Sequence, residues 1–128
     1  LEPLETLRVI KLANKETYVI MNSNIIPPPT VTMGLHKYPP LETILSEIKK
    51  VTENVLTYNA LKLAEKLGDP RYQNTILLGI ASTLPNFPRE KKHIEAGIKR
   101  TFTNKKVVAE KNLEAFKKGI EIGISLQK

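Results

Sequence analysis

The residues able to do chemistry are few and dispersed. His36 and His93 are the only histidines, and neither has a carboxylate cluster nearby. A structural or catalytic metal needs three or four ligands converging on one point, and this pattern does not supply them. There is no cysteine. Disulfides, thiolate zinc sites, cysteine nucleophiles and cysteine-ligated iron–sulfur clusters are therefore excluded from these residues. Ser23, Ser46, Ser82 and Ser125 lack the sharp strand-to-helix turn that exposes a nucleophilic serine. No G-x-G-x-x-G or Walker pattern cradles a phosphate. Glu2 and Glu5 lie one turn apart at the start of a helix. They could act as an acid–base pair, but compensation of the helix dipole accounts for them more simply. Catalytic, cofactor-binding and metal-binding residues are all expected to be absent.

The elements that would have to position a site read as α/β. Pro3 suits a first helical turn, and Leu4, Leu7 and Ile10 follow at helical spacing, predicting a helix over 2–13. Tyr18–Met21 and Asn54–Tyr58 are short apolar runs with β-branched residues, read as parallel strands covered on both faces. Between them Leu41, Ile44, Leu45 and Ile48 form one helical stripe. Asn59 is a plausible N-cap for a helix that Gly68 stops. Asp69-Pro70 opens a largely apolar helix reaching Leu84. A basic helix to Phe102 follows, then a last helix capped by Thr103. Its inner stripe is Val108, Asn112, Ala115, Phe116, Gly119 and Ile120. Asn74 and Asn112 fall on stretches read as buried, so their amides need partners, in a neighbouring loop or in another subunit.

The loop at 23–40 is the segment with functional character. Pro27, Pro28 and Pro29 stiffen it and argue against either a helix or a central strand there, with an extended piece at Thr30–Met33 before Gly34. A stiff loop carrying Ile25, Ile26, Val31 and Met33 would lose little entropy on docking. A clamp packed over its own domain is the competing account.

Charge and composition bound the partners. The net charge is +7. Residues 1–86 carry 9 Lys/Arg against 8 Asp/Glu and residues 87–118 carry 10 against 4, so the excess sits late in the chain. With 5% aromatic residues and no Trp, nothing resembles a nucleic-acid-binding motif, and a solvated helix surface is the expected role of these lysines. No apolar run approaches the ~20 residues that span a bilayer, so no membrane contact is expected. The lack of cysteine suits a reducing cytoplasm.

Two strands make an incomplete sheet, since independent stability ordinarily takes three or more. The piece at 30–33 could join them, or a partner could, or further strands could lie upstream. The last is the favoured reading.

Taken in order, Leu1 to Arg8 (L-E-P-L-E-T-L-R), a strand ending at Asn22, Ile26-Pro27-Pro28, Val31-Thr32-Met33-Gly34 and Tyr38-Pro39 resemble the small-subunit family of 2-oxoacid:ferredoxin oxidoreductases of the archaeal indolepyruvate-oxidising type. Ala60–Ala64, Leu67-Gly68, Asn74, Leu77-Leu78-Gly79, and the ending Asn112, Ala115-Phe116, Gly119 are similar to the wider gamma-domain family. The resemblance covers nearly the whole chain, and the ordered set is more specific than any one motif. That family begins with a strand and a Gly-rich turn that have no counterpart here. The chain is therefore expected to be a single domain, 1–128, forming roughly the last two-thirds of a Rossmann-like layered domain with a mostly parallel sheet. Its strand–helix part would span 1–68 and its helical part 69–128.

The resemblance implies a supporting subunit. Thiamine diphosphate and iron–sulfur clusters would sit on a large partner subunit. The complex would decarboxylate indolepyruvate or a related 2-oxo acid, form the coenzyme A ester and reduce ferredoxin. Candidate partner contacts are Pro27, Pro28, Thr32, Gly34 and Asn74. A free-standing basic interaction domain is the alternative, binding nucleic acid through Lys91, Lys92, Lys99, Arg100, Lys105 and Lys106. A domain-swapped homo-oligomer that completes its own sheet is a third reading.

Overall fold

The computed structural model describes residues 2–128. The chain divides into two compact units, with the boundary between Asn59 and Ala60. The sequence places the change from strand–helix to helical character at 68/69. The helix before Gly68 in fact groups with the helical half, because it packs on the segment that follows it.

The first unit is a β-α-β layer. Helix α1 (Pro3–Val9) opens with Pro3 at N1 and continues as a 3₁₀ turn, Ile10–Leu12. Strand β1 (Val19–Asn22) pairs in parallel with β2 (Val55–Tyr58), Val19 opposite Val55 and Asn22 opposite Tyr58. A short helix α2 (Pro29–Thr32) and the connecting helix α3 (Leu41–Lys49) lie between them in sequence. The α3 stripe delivers Ile44 and Ile48 to a core with Met21, and Leu7, Leu41 and Tyr38 pack around it. Thr52 fixes the entry to both strands: its buried hydroxyl donates to the Thr17 carbonyl at 2.8 Å and accepts from the Asn54 N–H at 3.1 Å.

The strands are not covered on both faces within this unit. Thr57 is exposed, and Val19, Ile20, Val55 and Leu56 are half-buried. Helices α1 and α3 pack on each other and α1 packs on β1. The apolar run of β1 is therefore more than the described part of this unit consumes.

The second unit is helical: α4 (Leu61–Leu67), a 3₁₀ turn Pro70–Tyr72, α5 (Gln73–Ala81), α6 (Lys91–Thr101) and α7 (Lys106–Leu126). Asp69 caps the 3₁₀ turn through the Arg71 N–H. Helices α5 and α7 form its spine. Their backbones touch at glycines: a Cβ on Gly79 would stand 2.3 Å from the Phe116 carbonyl oxygen, and one on Gly119 2.1 Å from that of Ile76. The contacts pair Thr75 with Asn112 and Ile80 with Gly123, so the two helices run in the same direction.

Two caps differ from expectation. Ala60, not Asn59, occupies the N-cap of α4. Thr103 turns its hydroxyl back to the Lys99 and Arg100 carbonyls, closing α6 instead of opening α7, whose N-cap is Lys105. Threonine serves either end because its short hydroxyl reaches a carbonyl three or four residues back as readily as an N–H ahead. No helix among the described residues is long and apolar enough to cross a membrane. No group of three His, Cys, Asp or Glu side chains among them is placed to hold a metal ion.

Candidate functional site

The loop at 23–40 is built, not slack. Residues 30–33 are not extended, and they do not join the sheet: Pro29–Thr32 is one helical turn. Three prolines argue against helix in general but permit it in this register. Pro28 holds the extended φ/ψ of an N-cap, and Pro29 occupies N1, where its missing N–H costs nothing. The turn ends in a Schellman motif. The Leu35 N–H reaches the Thr30 carbonyl at 2.9 Å, the Gly34 N–H reaches that of Val31 at 3.0 Å, and Gly34 takes φ +76°. Gly34 thus has a local reason to be glycine. The Thr32 hydroxyl is likewise turned inward, donating to the Pro28 carbonyl at 3.0 Å.

Glu2 braces this loop from outside it, through Tyr38 and Ile26. One Glu2 carboxylate oxygen caps α1 by accepting from the Glu5 N–H at 2.9 Å. The other accepts from the Tyr38 hydroxyl at 2.9 Å and from the Ile26 N–H at 3.4 Å. The Tyr38 oxygen accepts in turn from the Leu4 N–H at 3.2 Å. Both ends of the loop are thereby tied to the start of α1. Sequence reasoning assigned Glu2 only a dipole role. An acidic residue before Pro3 signals a cap, but nothing local signals its partner thirty-six residues on.

With its backbone committed, the loop presents apolar side chains to solvent: Ile26 is 62% exposed, Met33 73% and Leu35 66%. Pro27 and Thr32 are exposed beside them, and Pro28 is half-buried. A second apolar concavity of about 240 Å³ lies in the same unit, between α1 and β1, lined by Val9, Ile10, Leu12, Tyr18 and Ile20.

Burial and the hydrogen bond to Glu2 push the Tyr38 phenol up to about 12 from its ordinary 10. A group whose folded pKa is raised stabilises fully below its unfolded value and loses that contribution as pH climbs through the folded one. Stability should therefore fall between pH 10 and pH 12 by an increment that Tyr38→Phe lacks. Urea midpoints for the two proteins across that window measure it.

Asn74 lies in the second unit and is exposed, not buried; only Asn112 of the two amides is buried. The α5 register explains this: Ile76, Gly79 and Ile80 face inward, and Asn74, two residues before Ile76, falls on the opposite side of the helix. Asn112 accepts from the Thr75 hydroxyl at 2.6 Å and donates to the Val108 carbonyl at 2.9 Å, so its partners are within the unit. Asn74 instead lines a polar cleft of about 360 Å³ with Arg71, Tyr72, Lys105 and Asn112. The basic run lies on exposed faces of α6 and α7. Lys92, Lys111 and Lys118 pair there with Glu90, Glu114 and Glu121, at 3.0 to 3.4 Å, and such surface pairs contribute ~0–1 kcal/mol.

A parallel two-stranded sheet with helices packed against it in one unit, and helices alone in the other, is the α/β make-up of a Rossmann-like portion. The chain belongs to the pyruvate ferredoxin/flavodoxin oxidoreductase family, whose model matches residues 1–122. It is similar to indolepyruvate oxidoreductase subunit IorB of Archaeoglobus fulgidus, 40% identical over 125 residues that make up 98% of this chain and 61% of that protein. The proteins of the same name from Methanothermobacter thermautotrophicus and Pyrococcus horikoshii are 32% and 35% identical over 92% and 94% of this chain, and 59% of each. The chain thus spans about three-fifths of the length of these curated relatives. No solved structure matches it.

Proposed function

We propose that this chain is a supporting, non-catalytic part of a 2-oxoacid:ferredoxin oxidoreductase and docks through the loop at 23–40 onto a larger subunit. On this reading the larger subunit holds thiamine diphosphate and iron–sulfur clusters, and the location is cytoplasmic. The complex oxidatively decarboxylates indolepyruvate or a related 2-oxo acid with coenzyme A and delivers electrons to ferredoxin. The chain contributes shape and position, and alone it is inactive. None of its 128 residues can supply a cluster thiolate.

The observation that carries the proposal is the pairing of exposed Ile26, Met33 and Leu35 with a backbone fixed by prolines, a Schellman cap and Glu2. Pre-ordering removes much of the entropy that docking would otherwise cost. The relatives' own names as oxidoreductase subunits, together with the family membership, supply the context. A β layer larger than the two strands of this chain belongs to the same proposal, because two strands rarely hold a sheet unaided.

Co-expression with the large subunit of a relative's complex tests it. The two chains should co-elute in gel filtration, and 2-oxo-acid-dependent ferredoxin reduction should require both. A chain that stays apart from that subunit and binds DNA or RNA with steep salt dependence would instead identify a basic interaction domain.

A further inference from the structure

We propose that the surface receiving the loop at 23–40 on the larger subunit is an uncharged groove lined by tyrosine or tryptophan. The inference names the partner chemistry for the docking proposed above and rests on that docking. Charge excludes one kind of partner. Residues 17–36 contain no Asp, Glu, Lys or Arg, in a chain that is 26% charged. The Glu2 carboxylate does reach the loop, but the Glu5 N–H and the Tyr38 hydroxyl already take it up. A charged partner surface would be desolvated against this loop without finding its counter-charges.

Backbone chemistry excludes a second kind. Pro27, Pro28 and Pro29 have no N–H, and the Ile26 N–H is engaged by Glu2 at 3.4 Å. A strand laid along 26–29 would meet carbonyls and no donors, so this segment cannot extend a partner's sheet. Its conformation is that of polyproline II. Ile26, Pro27 and Pro28 each precede a proline, which favours extended backbone. Pro28 stands at φ −65°, ψ 158°, close to the polyproline II values.

Aromatic rings fit what is left. A pre-ordered polyproline II segment docks in aromatic-lined grooves, where proline and aliphatic side chains lie on ring faces. Ile25, Ile26 and Pro27 are the exposed side chains here. Tyrosine and tryptophan also carry an O–H or N–H at the ring edge, the donor that the unpaired carbonyl side of such a segment requires. Met33, exposed at the end of α2, adds a thioether, which packs favourably against ring edges. Interface centres are depleted of charge and enriched in these same aromatic residues.

The test uses the full chain, isotope-labelled at its isoleucine and methionine methyls, bound to the unlabelled large subunit of a relative's complex. Ring faces move nearby methyl resonances upfield. The Ile26 and Met33 methyls should therefore shift upfield, while that of Met21, fully buried in the unit's own core, stays in place. Pro27→Ala should weaken binding about 10-fold, because it loosens the segment and removes a ring contact. The dissociation rate should be insensitive to salt, since no charge pair holds the complex together at this loop. Downfield methyl shifts, or a dissociation rate that climbs steeply with salt, would overturn the aromatic groove and leave the docking itself standing. Binding unchanged by Pro27→Ala, or tightened as strand addition through the restored N–H would make it, has the same consequence. Ile26 and Met33 methyls that stay in place in a formed complex would overturn both, because the loop would then lie outside the interface.

Discussion

Gly119→Ala should destabilise the protein by about 3 kcal/mol, the upper end of what overpacking costs. The new methyl would stand 2.1 Å from the Ile76 carbonyl oxygen and 2.8 Å from the Gly79 Cα. Both are backbone atoms, so no rotamer change relieves the contact and α5 must move away from α7 as a whole. Phe116 and Ile76, each fully buried on these helices, would lose packing as the gap opens. Gly97→Ala provides the opposite sign with the same chemical change. Gly97 is exposed within α6 with nothing inside 4 Å of its would-be Cβ, so alanine should gain ~0.5–1 kcal/mol from helix propensity alone. Urea denaturation followed by helical circular dichroism reads both. A near-neutral Gly119→Ala would mean that the two backbones do not meet there.

The pattern of legibility follows from range. Helical stripes depend on spacing within one segment, and Ile44, Ile48, Ala115, Phe116 and Gly119 are buried as their spacing predicts. The parallel pairing of β1 and β2 also follows from the strand–helix–strand order. Caps were less legible: Thr103 bonds back to the carbonyls that close α6, and α4 takes Ala60, one residue after Asn59, as its N-cap. Proline was misleading at 27–29: the same residue that breaks a helix inside it favours the first turn, and only the register separates the two cases. The tie of Glu2 to Tyr38 and Ile26 was not legible, since it joins positions far apart in sequence that the fold alone brings together. The cleft around Asn74 was missed for a related reason. Its cations, Arg71 and Lys105, come from separate turns and read singly as solvated charges.

The largest functional effect is expected from the loop. Replacing Ile26 and Met33 together with aspartate should weaken association with the large subunit by at least about 100-fold, since two central apolar anchors cost ~2 kcal/mol each and every 1.4 kcal/mol is tenfold. Unpaired carboxylates forced into the interface add to that loss. Both side chains are exposed here and take no part in the Met21, Ile44, Ile48 core, so the chain's own urea midpoint should stay within ~0.5 kcal/mol. That separation distinguishes docking from a clamp packed over its own domain: a clamp would lose stability and leave association alone. Glu2→Gln serves as the complementary variant. It keeps the exposed side chains but weakens the charge-assisted bond from Tyr38 and the contact to the Ile26 N–H. Looser bracing should slow association while the apolar contacts, once made, hold the dissociation rate close to wild type. Association and dissociation rates from surface plasmon resonance resolve the two variants. Unchanged binding in the aspartate double variant would take the loop out of the interface.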